Sequence, residues 1–226
     1  MRNRTLQVLL TFVFCIIHAG PAAAQQTYIS KEQQKSLYDA VQDSASDEVS
    51  SVISLYSNVL SYKYPKHLVP AFQAKAPSNF MLEFIPFGEN IKENWSEMLT
   101  IQAFPEQVVR TKSAKEFAVM LAKLVAKSCP NSSIFEDLGK VTLKSGSAHR
   151  IIFGCRDVSV VGGQTAGEMT IAQAIKRNGD IVLVQFALRG VPFSKDSLLI
   201  NEEKRKYFGS LLDQLELADN PKKKSN

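Results

Sequence analysis

Few residues in this chain have the types and spacing to do chemistry. Glu89 and Glu97 flank the only tryptophan, Trp95, in the run FIPFGENIKENWSEMLTIQ (84–102), and two carboxylates so placed could serve as a general acid and base. His149 is a third candidate, since a small secreted hydrolase could pair it with either glutamate. The sequence shows no partner that would orient the pair, so solvated carboxylates are the plainer reading. His67 and His149 are the only histidines beyond the first 24 residues, and each reads as a structural residue. Gly-x-Ser-x-Gly, His-Glu-x-x-His and the phosphate-binding Gly-Lys-Ser/Thr loop do not occur. The run Gly162-Gly163-Gln164-Thr165-Ala166-Gly167 is rich in glycine, but it joins two strands and opens no helix, so it reads as a flexible loop and not as a phosphate cradle. No catalytic set, metal site or cofactor is expected.

The first residues set the compartment. Arg2 and Arg4 precede an apolar run from Leu6 to Ile17, and Ala22-Ala23-Ala24 supplies the small residues that a signal peptidase requires. We read residues 1–24 as a secretory signal peptide, too short in its apolar core to span a bilayer, and expect no transmembrane segment after its cleavage. The formal charge of +5 is accounted for by Arg2, Arg4 and the tail Lys222-Lys223-Lys224, so the body is balanced and nucleic acid is not an expected partner. Beyond the leader only Cys129 and Cys155 remain. In an oxidising compartment they are expected to form a disulfide, because with His149 they fall short of a tetrahedral metal set. Asn94-Trp95-Ser96 and Asn131-Ser132-Ser133 match the N-glycosylation sequon, which matters only in a eukaryotic host.

Residues 25–62 have helical leanings and a thin apolar stripe, and read as a helical arm. An α+β domain is expected over 63–218, followed by a basic disordered tail at 219–226. Phe80–Phe84 and Met98–Phe104 read as strands, the second because Leu99, Ile101 and Ala103 alternate with Thr100 and Gln102. The Trp95 stretch is then the turn between them, longer than a tight hairpin. Trp95 either packs back on the sheet or offers an aromatic contact. Ser113 and Glu116 have capping-box spacing, and Phe117, Met120, Leu121, Leu124 and Val125 follow on one helical face. Four strand-like runs come next, two of them joined at Asn178-Gly179, the pair that a type I′ turn prefers. A helix ending near Leu217 closes the chain.

This order gives a mostly antiparallel sheet covered by helices, an α/β/α sandwich. It resembles the Mog1/PsbP-like arrangement over about residues 80–217. The stretch GENIKENWSEMLTIQAF also resembles a motif of uncharacterised secreted bacterial proteins, in which the same tryptophan precedes a strand and a cysteine pair follows. The resemblance implies a binding or assembly module without a shared catalytic set. A non-catalytic exported module that binds a protein, envelope-associated or secreted, is the reading favoured here. Its expected contacts are the loop bearing Glu89, Asn94 and Trp95, the Gly162–Gly163 loop and the N-terminal arm. A carrier of a small apolar ligand is the remaining alternative, and it requires a cavity beneath Phe117 and Met120.

Overall fold

The computed structural model describes residues 25–159, 164–194 and 196–221. Its main element is an antiparallel sheet of eight strands: β1 (Gln25–Tyr28), β4 (Leu68–Ala76), β5 (Asn79–Pro86), β6 (Glu97–Phe104), β10 (Asp180–Gly190), β9 (Thr165–Arg177), β8 (Gly146–Ser159) and β7 (Ser133–Leu143), in that spatial order. A second sheet holds β2 (Glu48–Leu55), β3 (Asn58–Pro65) and β11 (Glu216–Asp219) in the order β11-β3-β2. The helices are α1 (Lys31–Gln42), the short α2 (Glu106–Val109), α3 (Ala114–Ser128) and α4 (Glu202–Asp213).

Two expectations are corrected here. The N-terminal arm is not helical throughout, because β2 and β3 form a hairpin turning at Tyr56, whose φ is 47°. In β3 Leu60 and Tyr62 are buried while Ser61 and Lys63 are half-buried, which is the period of a strand packed on one side. The sandwich of helices is also overturned. One face of the large sheet is covered by α4 together with the three-stranded sheet, and α3 packs on the other. The protein is therefore dominated by antiparallel sheet, with few helices.

The larger core lies between the two sheets. Phe80, Leu82 and Phe84 of β5, Leu99 and Ile101 of β6, and Val182, Val184 and Phe186 of β10 all point into it. They meet Leu60, Tyr62, and Phe208, Leu211 and Leu212 of α4, with the Phe186 and Phe208 rings stacked at 4.9 Å. At one end a buried carboxylate joins the sheets. Asp180 accepts hydrogen bonds from the backbone N–H of Ser57 (2.9 Å), from Asn58 Nδ2 (3.0 Å) and from the backbone N–H of Glu106 (2.9 Å). Three donors on one carboxyl group make a strong, directional tie. It is placed by the two-residue turn Asn178-Gly179, both in positive φ (50° and 80°), which joins β9 to β10.

On the opposite face α3 begins with its capping box formed, Ser113 accepting from Glu116 N–H and Glu116 reaching back to Ser113 N–H. Phe117 and Leu121 pack on Phe104, Ile151, Ala172 and Leu183. Met120 is not part of this stripe; it is 38% exposed on the outer side of the helix. The C-terminal end of α3 is tied to the sheet by the Cys129–Cys155 disulfide, with Cα atoms 5.9 Å apart. Replacing both cysteines by serine should lower unfolding free energy by about 3 kcal/mol in the chain-entropy model. It should also speed amide exchange in the last turn of α3 before it affects β6 or β10, and a double variant of unchanged stability would contradict this.

A polar crevice between the helix and the tryptophan loop

The register of the strands defines a row of side chains across the α3 face. Glu83 of β5 stands opposite Thr100 of β6, which stands opposite Gln185 of β10, and Ala172 of β9 and Ile151 of β8 continue the row. The row is apolar where α3 lies over it and polar where α3 does not. Gln102 stands two residues along from Thr100; its Oε1 accepts from Gln185 Nε2 at 3.3 Å, the only side-chain hydrogen bond of either amide among the described residues.

Thr100, Gln102 and Gln185 are buried and Thr170 is half-buried, yet they line a crevice of about 40 Å³. That is room for about three water molecules or one small polar head group. Leu121 and Val125 of α3 form one wall, with Phe153, Gly154 and Cys155 of β8 beneath them. The other wall is Ala187 and Glu168. The disulfide that anchors α3 therefore also fixes this wall.

Beyond Ala187 the sheet is capped by Trp95, which is 4% exposed and packs with Ala71, Ile85 and Met98. The Arg189 guanidinium lies 3.9 Å from the Trp95 ring centre and donates to Glu168 Oε1 at 2.7 Å. Burial raises the Glu168 carboxyl, and the charge and hydrogen bond of Arg189 act against that rise. Trp95 is thus an anchor with its face spent on a cation, not an exposed aromatic contact.

The residues singled out in the sequence are distributed otherwise than a catalytic set would be. Glu89 accepts from Ser96 N–H (2.7 Å) and Ser96 Oγ (2.6 Å), and Asn94 Oδ1 accepts from Asn90 N–H (3.1 Å), so both hold the tryptophan loop closed on itself. Glu97 lies on the inter-sheet face, 3.5 Å from His67 Nε2. His149 lies on β8, three strand spacings or about 14 Å from β6, with its Nε2 2.8 Å from Asp137 Oδ1, a contact without hydrogen-bond alignment. A hydrogen bond from Lys115 holds the Asp137 carboxyl below its usual range. The structure brings neither Glu89 nor Glu97 to His149. Beneath Phe117 the ring of Phe104 packs at 4.8 Å. Gly162 and Gly163 lie outside the described residues, as do the leader and Lys222–Lys224. β8 ends at Ser159 and β9 begins at Thr165 at the same end of the sheet as the tryptophan loop.

Glu83 was not singled out in the sequence. It is 6% exposed, and its Oε1 is buried without a hydrogen-bond partner. Burial pushes its carboxyl up to about 7. The signal was present as an acid in the middle of the apolar strand Phe80-Met81-Leu82-Glu83-Phe84.

Among the described residues no group of three His, Cys, Asp or Glu could hold a metal ion, and no helix is long and apolar enough to cross a membrane. No family model and no curated protein sequence matches the chain. Among solved structures it is similar to cyanobacterial PsbP (CyanoP) from Synechocystis sp. PCC 6803, with a TM-score of 0.45, 12% identity, and 90% of this chain and 97% of that one covered. It is similar to the Ran-binding protein Mog1p of Saccharomyces cerevisiae, with a TM-score of 0.44, 11% identity, and 76% and 96% covered. LpqN of Mycobacterium tuberculosis, involved in cell envelope biogenesis, gives 0.33, 9%, 80% and 95%.

Because folding favours the neutral form of Glu83, the parent protein should lose stability as pH rises from about 4.5 to about 7, by on the order of 3 kcal/mol from this group. Glu83→Gln removes that dependence. Urea unfolding of both proteins should show the variant gaining about that much on the parent between about pH 4 and pH 8; a constant difference would contradict it.

Proposed function

We propose that this chain is a non-catalytic exported module that binds a protein partner, at the envelope or after secretion, through the crevice between α3 and the tryptophan loop. The observation that carries the reading is the polar row Glu83, Thr100 and Gln185 at the centre of an eight-stranded sheet, where the same stretches of the strands turn Phe84, Leu99, Ile101, Val184 and Phe186 to the other face. Buried polar groups with unused hydrogen-bonding capacity cost stability unless something satisfies them. Their position beside an open crevice supports a partner as that something. The commitment of Glu89 to Ser96 and the separation of β8, which carries His149, from β6 by three strand spacings support a binding role over a hydrolytic one. The leader-like segment of residues 1–24 supports export.

A photo-crosslinking residue introduced at Met120 or Val125 in the native host should give a discrete protein adduct. The same residue at Val52, exposed on the three-stranded sheet, should not. Fractionating the Met120 adduct then sorts envelope residence from release. Free monomer at both α3 positions, or equal adducts at Val52, would overturn the proposal.

A further inference from the structure

The chemistry of the crevice narrows what enters it. Glu83 stands at the β5 end of the polar row, one strand spacing of about 4.8 Å from Thr100, which lines the crevice. Its Oε1 is buried and unpartnered. Two cations at this end of the sheet are committed elsewhere. Arg189 is paired with Glu168 and stacked on Trp95, and Lys92 of the tryptophan loop lies over the Tyr28 ring at 4.0 Å. The carboxyl of Glu168 already has its arginine. Among the described residues Glu83 therefore has no counter-charge in ion-pair contact.

Building on the protein-binding reading, we infer that the crevice receives the cationic head of a lysine or arginine side chain from the partner, with Glu83 as the carboxylate that meets it. The apolar wall of Leu121 and Val125 suits the methylene stem of such a side chain. Gln185 and Gln102, which spend only one donor and one acceptor on each other, retain capacity to bind its N–H groups. An anionic group would face Glu83 and Glu168 together. A neutral apolar group would leave the polar row unsatisfied.

Isotope-labelled mature protein titrated with the capped tripeptides acetyl-Ala-Lys-Ala-amide and acetyl-Ala-Arg-Ala-amide tests this directly. Saturable shifts are expected at Thr100, Gln102 and Gln185 with one or both, and none with the norleucine or glutamate analogues. Glu83→Gln, nearly isosteric and without the buried charge, should weaken the response at least about tenfold. Binding should also draw the Glu83 carboxyl midpoint downwards. An equal response to norleucine, or an unchanged affinity in Glu83→Gln, overturns the inference. Crosslinked adducts that survive Glu83→Gln while the peptides give no response overturn it and leave the binding face standing. A specific lysine or arginine response with no adduct supports the cation site and overturns the protein partner.

Discussion

Strands β6 and β10 lie at the centre of eight, so both of their faces need cover, and the rest of the chain is disposed by that need. Burying apolar surface at roughly 25 cal/mol per Å² makes an uncovered apolar sheet face untenable in water. The inter-sheet face meets the need fully. Phe186, Val184 and Ile101 are closed over by Phe208 and Leu212 of α4 and by Leu60 and Tyr62 of β3, and Asp180 locks the end where the two sheets meet. The other face has less material available. Its cover is one helix, held at its C-terminal end by Cys129–Cys155, and one loop, held by Trp95 under Arg189.

Between those two covers the strand residues change character. Under α3 the row across the sheet ends in Ala172 and Ile151; under the gap it reads Glu83, Thr100, Gln185. Filling the gap with leucine and valine would be the stable choice for a purely structural sheet, since a half-satisfied polar network is worse than an apolar core. Local departures of this kind from the rules of stability are expected where a protein does its work. Glu83 is the sharpest case, because burial pushes its carboxyl up to about 7, and an arriving cation would favour its ionised form.

Much of this was legible in the residues. The capping box at Ser113 and Glu116, the Asn178-Gly179 hairpin and the alternation of Leu99, Ile101 and Ala103 each carry a local physical reason, and the structure holds the elements they announce. The β2–β3 hairpin is hard to read from sequence because its outward positions mix Ser50 and Ser54 with Val52, Ser51 interrupts the inward side, and the inward set of Val49, Ile53, Leu60 and Tyr62 is spread over two short strands. The crevice was half-legible. Thr100 and Gln102 mark the polar side of a strand, but only the strand order shows that this side lies in the interior, in the gap between α3 and the tryptophan loop. Glu89 and Asn94 drew attention by their types, and local hydrogen bonds within the loop absorb them.

The central claim is that the polar row is kept for binding at the expense of stability. The most direct measurement is the unfolding free energy of the triple variant Thr100→Val, Gln102→Leu and Gln185→Leu, read together with its crosslinking from Met120. A row kept for binding predicts a protein at least as stable as the parent whose adduct is lost. A variant that is less stable and still crosslinks would show the row to be part of the fold and would contradict the claim.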